Sequence, residues 1–256
     1  MTPDERRNQI VAIVESGGAS TPTDLAERFG VSEDSIRRDL RSLAERGLVR
    51  RVHGGALPRS PAAVPYEERV GQNPAAKRRI AAATAELLAR LRTVCLDGGT
   101  TVLEVARQLA PGFSGTAVTV SLPVAVELAA RSSVEVIQLG GRVMGFAQAV
   151  VGPDVVDALR RYRFDACVLG VCSIHPEAGL TVPDRDEVFT KAAMVEQSAR
   201  VIAVASRTKL GTAEPFLVAP AKAVRVLVTD AAPDEPPVDS LRRIGIEVVC
   251  VSEGST

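Results

Sequence analysis

Long hydrophobic runs are missing from this 256-residue chain, and no apolar stretch approaches the eighteen or so residues needed to cross a bilayer. Met1 to Arg7 is polar and charged, without the apolar centre of a secretory signal. The cytoplasm is therefore the expected location, and a membrane is not an expected partner. Histidine is nearly absent, with two residues, and the four cysteines (Cys95, Cys167, Cys172, Cys250) are scattered without a Cys-x-x-Cys pair. This argues against a structural zinc site and a disulfide framework, so neither metal nor cofactor is expected. Cys95, Cys167 and Cys250 lie in β-like apolar runs, where a thiol behaves as a small hydrophobe; Cys172 stays open. Net charge is missing too: 31 basic residues balance 31 acidic ones, leaving no global sign of nucleic-acid binding.

What is present is a globular composition, 46% apolar and 24% charged, in a chain long enough for a small module plus a domain with a sizeable core. The charge is unevenly spread. From Ile36 to Arg59 seven arginines (37, 38, 41, 46, 50, 51 and 59) face two acids, Asp39 and Glu45. A phosphate backbone senses such a local excess, although a solvated helix face in an Arg-rich protein would look similar.

Three short helical patterns open the chain. The first spans 4–15, with Ile10, Val11, Ile13 and Val14 on a mostly apolar side. The second begins at Thr21-Pro22-Thr23-Asp24, a Thr cap with Pro in the first turn, and stops at Gly30. Ser32 then caps a third helix after the short Gly-containing turn that a helix-turn-helix requires. At about 100° per residue, Leu40 and Leu43 fall within roughly 40° of Ile36 and form the buried stripe. Arg37, Arg38 and Arg41 point away from it. Asp39 is expected to pair with a nearby arginine, since a bare carboxylate would repel DNA. Gly47 ends the helix, residues 48–52 read as a strand, His53-Gly54-Gly55 as a tight turn and Ala56-Leu57 as a returning strand. Three helices followed by a basic hairpin is the order of a winged helix, whose wing would set Arg50, Arg51 and His53 beside the third helix.

Residues 25–32 (LAERFGVS), Ser35-Ile36-Arg37-Arg38-Asp39-Leu40, Leu43, Gly47 and Arg51-Val52-His53-Gly54-Gly55-Ala56 resemble the DeoR family of bacterial regulators. The family usually has Thr where Ser35 stands, which keeps a hydroxyl and loses a methyl. The resemblance implies that Ser32, Ser35, Arg37, Arg38, Arg41, Arg50, Arg51 and His53 form a DNA-binding set. Arg37 or Arg38 can fork onto a guanine edge, and either can equally hold a phosphate.

Pro58, Pro61 and Pro65 mark a stiff, extended boundary. The expected organisation is a winged helix-turn-helix at 1–57, a linker at 58–74 and an α/β domain at 75–256. The Pro-Tyr-Glu-Glu-Arg run and Lys77 to Ala81 also resemble the family's interdomain segment. Beyond a helix at 75–91, strand-like runs at 93–97, 117–121, 134–139, 166–171, 201–205, 225–229 and 247–251 alternate with helical stretches at 102–109, 123–131, 153–162, 184–199 and 238–243. Continuous apolar runs such as Val201 to Ala205 indicate a mainly parallel sheet covered on both faces. Ligands in such sheets sit at the carboxyl ends of strands. The loop Asp97-Gly98-Gly99-Thr100-Thr101 lets backbone approach an anion, while the two threonines and the following helix supply donors. Asp97 itself would bind a sugar hydroxyl or brace the loop.

The region 75–251 is similar to the family's effector domain, related in fold to ribose-5-phosphate isomerase and coenzyme A transferases. Asp97 to Thr101, Ser121-Leu122-Pro123, Gly140-Gly141, Lys191 and Lys209-Leu210-Gly211 carry the likeness. It implies a phosphorylated sugar or related metabolite as effector, bound by Asp97, Gly98, Gly99, Thr100, Thr101, Ser121, Gly140, Gly141, Gly170, Lys191 and Lys209. Lys191 and Lys209 are two of only four lysines; each suits either a site wanting a compact ammonium or an ordinary surface position. Val120, Val171-Cys172-Ser173 and Ser206 depart from the family pattern and remove polar groups near the expected pocket. The leading expectation is a repressor of carbohydrate-metabolism genes, a homodimer or homotetramer on double-stranded operator DNA, whose affinity a metabolite changes. The alternative is an isomerase or transferase using Asp97, Glu187 and Lys191, but no nucleophile–base pair is apparent and an enzyme needs no recognition helix.

Overall fold

The computed structural model describes residues 1–17, 20–52, 54–109, 113–131 and 133–251. Three helices, α1 (Pro3–Gly17), α2 (Pro22–Phe29) and α3 (Glu33–Glu45), precede the hairpin of β1 (Arg50–Val52) and β2 (Gly55–Leu57). Thr21 Oγ1 accepts the Asp24 N–H at 3.1 Å, and Gly30 closes α2 in the left-handed region at φ 63°. Ser32 Oγ caps α3 by accepting the Ser35 N–H at 3.3 Å. The stripe Ile36, Leu40 and Leu43 joins Ile10, Val14, Leu25 and Val49 in one buried core. Gly55 has no room for a side chain: a Cβ would stand 2.2 Å from the Ser20 carbonyl oxygen. The cause is the hairpin's docking on the turn before α2 through reciprocal Ser20–Ala56 backbone bonds of 3.1 Å.

The rest of the chain runs α4 (Tyr66–Val70), α5 (Pro74–Leu88), β3 (Thr93–Leu96), α6 (Thr100–Gln108), β4 (Thr116–Thr119), α7 (Leu122–Ala129), β5 (Glu135–Gln138), β6 (Arg142–Met144) and β7 (Ala149–Val151). It continues through α8 (Pro153–Leu159), β8 (Ala166–Gly170), β9 (Ser173–His175), β10 (Gly179–Val182), α9 (Arg185–Glu196), β11 (Val201–Ala205), β12 (Phe216–Ala219), β13 (Val226–Thr229), α10 (Pro236–Arg243) and β14 (Glu247–Cys250). The seven strand-like apolar runs of the sequence form one sheet in the order β14-β13-β11-β8-β3-β4-β5, parallel throughout. Alternate residues serve opposite faces. Val94 and Leu96 pack with Ile80, Val105 and Leu128 of α5, α6 and α7, whereas Cys95, Cys167 and Leu169 pack with Val155, Met194 and Leu241 of α8, α9 and α10. Both faces are apolar, which is why the strands read as unbroken hydrophobic runs. Cys95 and Cys167 are core residues; Cys250 is half-buried against the same core.

Three differences from the sequence reading have physical causes. The β6–β7 hairpin and the antiparallel sheet β12-β10-β9 are additions built from strands of three or four residues, too short to announce an alternation. Helix α9 ends at Glu196 instead of continuing to 199, because Phe164 donates to the Gln197 carbonyl and Ala199 donates back to Phe164, both at 2.9 Å. The proline-rich stretch is no free spacer. The Ala213 N–H donates to the Pro58 carbonyl at 3.2 Å, the Tyr66 N–H donates to the Phe146 carbonyl at 2.8 Å, and Ala62 and Tyr66 are buried against the α/β unit.

Candidate DNA-binding face and effector cleft

Side chains of α3 divide cleanly between interior and solvent. Asp39 is 4% exposed and accepts from Arg6 Nε at 2.6 Å and Arg7 Nη1 at 3.3 Å, so it ties α3 to α1. Arg37, Arg38 and Arg41 are exposed. Arg37 pairs with Glu33 at 2.8 Å one turn earlier, a surface contact of small energetic weight. Arg38 reaches Ser35 Oγ at 3.4 Å, and Ser35 in turn lies 3.0 Å from Ser32 Oγ. Arg51 on the hairpin is exposed and Arg50 half-buried. Arg37 and Arg51 line one shallow depression with Gly54 and Gly55 between α3 and the wing. Arg38, Arg41, Arg50 and Arg51 have no acid partner among the described residues. The structure thus brings Ser32, Ser35, Arg37, Arg38, Arg41, Arg50 and Arg51 to one module; His53 lies outside the described residues.

A second site follows from strand order. From β3 the chain winds outward to β4 and β5, then returns to place β8 on the other side of β3. Beyond the loops that leave β3 and β8 the chain therefore continues in opposite directions, the place where α/β sheets hold ligands. A cleft lies there, lined by Gly98, Gly99, Thr100, Thr101, Gly170, Glu187, Lys191 and Lys209, with Arg69 and Ala62 also on its wall. Gly170 allows the two loops to meet, since a Cβ would stand 2.4 Å from the Gly98 carbonyl oxygen.

Asp97 faces inward at 3% exposure, accepts the Gly170 N–H at 2.9 Å and ion-pairs with Lys191. Lys191, 6% exposed, also donates to the Gly170 carbonyl at 3.1 Å. Burial opposes its charge, but the Asp97 and Glu187 carboxylates outweigh that and hold the ammonium above its ordinary range. Lys209 donates to the Val171 carbonyl at 2.9 Å. Burial, together with the cations of Arg69, Lys77 and Lys191, presses its pKa down to about 8. Burial raises the Glu187 carboxyl. Asp97 being spent on Lys191, cationic groups outnumber free anionic ones in the cleft. The trio Asp97, Glu187 and Lys191 does converge, but Asp97 and Lys191 are tied to each other and to Gly170 as a brace, with Glu187 acting on the ammonium only through its charge.

Ser121, Gly140 and Gly141 do not line this cleft. The β6–β7 hairpin covers the end of β4: Val150 donates to the Val120 carbonyl at 2.8 Å and Leu122 to the Gln148 carbonyl at 3.1 Å. Ser121 is sealed beneath it, and Gly141 is required by packing, a Cβ there meeting Val155 at 2.4 Å. Of the departures, Val120 is core, Val171 and Cys172 line the cleft, and Ser173 bonds Thr212 at 2.8 Å. Ser206 borders an adjoining depression with Lys77, Arg69 and Lys209. Sequence reasoning missed Arg69 and Ala62. Their only signal was the Tyr-Glu-Glu-Arg run, some thirty positions before the glycine loop.

Among the described residues there is no group of three or more His, Cys, Asp or Glu arranged to hold a metal, and no helix long and apolar enough to cross a membrane. Residues 6–61 match the DeoR-like helix-turn-helix domain, and residues 72–231 match the DeoR C-terminal sensor domain. The HTH-type transcriptional regulator GlpR of Haloferax volcanii is 36% identical over 97% of this chain and 98% of its own length. The glycerol-3-phosphate regulon repressor of Escherichia coli is 33% identical over 91% of this chain and 93% of its own. The full-length sorbitol operon regulator SorC of Klebsiella pneumoniae has a TM-score of 0.41 at 14% identity, over 90% of this chain and 96% of that one. With a helix-turn-helix module and a sensor domain both matched in order along its length, the chain belongs to the DeoR family of transcriptional regulators.

Proposed function

We propose that the protein is a repressor of carbohydrate-metabolism genes whose operator affinity is changed by a phosphorylated sugar or related metabolite held in the cleft between β3 and β8. The observation that carries this reading is the composition of the cleft: an open glycine loop, the hydroxyls of Thr100 and Thr101, the amino end of α6 and a surplus of cations over unpaired carboxylates. Such a site favours a dianion over a neutral sugar. Phosphorylated ligands also fit the names of relatives such as the glycerol-3-phosphate regulon repressor. Asp97 and Lys191 brace the loop, while Gly98, Gly99, Thr100, Thr101 and Lys209 hold the phosphate.

On the other face, Arg38, Arg41, Arg50 and Arg51 would meet DNA, with Ser35 and Arg37 at the amino end of α3 facing base edges. Binding as a homodimer or homotetramer would span repeated half-sites, in the cytoplasm where the chromosome lies. The test is calorimetric titration of glycerol 3-phosphate, glucose 6-phosphate and fructose 1-phosphate against glycerol, glucose and fructose. Binding confined to phosphorylated members is expected; equal binding of both sets, or of neither, contradicts the reading.

A further inference from the structure

The segment joining the two parts of the molecule forms a wall of the cleft. Ser60 donates its N–H to Glu214 Oε1 at 3.0 Å and its hydroxyl to the Cys172 carbonyl at 2.5 Å. Further on, α4 lays Arg69 across the mouth, beside Gly99; a Cβ at Gly99 would lie 4.0 Å from Arg69 Nη1. Lys77 of α5 donates to the Arg69 and Val70 carbonyls and so fixes the carboxyl end of α4.

Arg69 itself is incompletely used. Its Nε is buried with no hydrogen-bond partner among the described residues, and no carboxylate there pairs with it. The Tyr66 ring, 5.7 Å from the guanidinium carbon, is the contact it does make. A buried guanidinium donor without an acceptor is costly, and the cavity that this side chain lines is the one with the glycine loop and Lys209. We propose that Arg69 is an anion-binding arm of the effector site, supplied by the connecting segment, so that an occupied cleft grips that segment. The inference rests on the reading of the cleft as a phosphate site.

What it adds is a physical route to the DNA-binding module. Upstream of Ser60, Arg59 sits 3.5 Å from the buried Glu214 Oε2 and donates from Nη1 to the Gly47 carbonyl at 3.4 Å. Gly47 is the residue that stops α3, in the left-handed region at φ 70°. One covalently continuous stretch therefore touches the effector cleft at Arg69, the α/β unit at Ser60 and the end of the recognition helix at Arg59. A ligand that binds Arg69 in one placement of this stretch better than in another shifts the population of DNA-competent molecules.

The test uses the full chain, with glycerol 3-phosphate, glucose 6-phosphate and inorganic phosphate as probes, read by calorimetry and by hydrogen exchange of peptides covering 58–70. Wild type should bind at least one probe and gain exchange protection in 58–70. Arg69→Ala should weaken that binding about tenfold to a hundredfold and abolish the gain, with unliganded exchange elsewhere unchanged. Arg69→Lys should fall between, keeping charge but losing the fork; Arg69→Gln replaces Arg69→Ala if the latter does not fold. Binding by Arg69→Ala (or Arg69→Gln) within twofold of wild type overturns the proposal and leaves the phosphate reading standing. Tight binding without added protection of 58–70 overturns the coupling. No binding of any probe by wild type overturns both readings.

Discussion

Arg38, Arg41 and Arg51 stand exposed, without an acid partner among the described residues, whereas Lys191 is 6% exposed and already neutralises Asp97. The module at the amino end keeps its cations in water, where holding them costs little and a polyanion can collect them all at once. The cleft keeps its cations half-buried or buried, where each needs a carboxylate, a carbonyl or a ligand. Residue choice follows. Arginine, whose charge survives almost any setting, fills α3 and the wing; three of the four lysines, Lys77, Lys191 and Lys209, gather around the cleft and its rim. The difference predicts opposite responses to substitution: lost binding without lost fold on one side, lost fold or altered pH response on the other.

The largest expected effect comes from separating Asp97 and Lys191. Asp97→Ala strips a buried ammonium of its ion-pair partner and should cost about 3–5 kcal/mol in urea unfolding of the domain that holds the cleft, while the double change Asp97→Asn with Lys191→Met recovers most of it. Equal stability of Asp97→Ala and wild type would break the comparison. Next, Arg38→Ala should weaken operator binding by about 1–3 kcal/mol with unfolding unchanged. A shallower salt dependence would mark a phosphate contact, and relaxed preference at one base pair a base contact. Unchanged affinity at moderate salt removes Arg38 from the interface.

Lys209 supplies the pH response. With its pKa at about 8, below the ordinary 10.5, the native state holds fewer protons than the unfolded chain between those values, so unliganded stability rises with pH across that window. Ligand affinity moves the other way, because a bound dianion favours the charged ammonium. Each unit by which the ligand raises this pKa gives about a tenfold loss of affinity as pH climbs from 7 to well above 8. Lys209→Arg should flatten that profile, which calorimetry at a series of pH values would show. The smallest effect is Ser32→Ala, which removes the cap of α3 for about 1 kcal/mol of module stability, readable by thermal unfolding.

What the sequence makes legible follows from the range of the interactions involved. Caps at Thr21 and Ser32 and the stripe Ile36, Leu40 and Leu43 are local features, and the helix-turn-helix can be read from them directly. The seven apolar runs likewise announce a doubly covered sheet. Strand order is not local, and it decides which loops meet. Ser121 and Gly140-Gly141 follow strands just as Asp97 to Thr101 does, yet β7 bridges to Ser121 and buries it, the two glycines stay exposed away from the cleft, and the loops after β3 and β8 line it. Arg69 is hidden for the same reason: the Tyr-Glu-Glu-Arg run of its five-residue helix says nothing of a cleft, and its place there comes from Lys77, Tyr66 and a glycine loop far along the chain. Asp97 illustrates both sides, since the open choice between sugar hydroxyl and loop brace depends on where Lys191 of α9 arrives.

Control of the DNA-binding face by the cleft is measured by fluorescence anisotropy of a duplex carrying the promoter beside the gene, bound by the full-length protein. The phosphorylated metabolite that binds in calorimetry is titrated into that complex. A saturable shift in DNA affinity of at least fivefold is expected in wild type, at a metabolite concentration matching its Kd. An unchanged DNA affinity at saturating metabolite would contradict it.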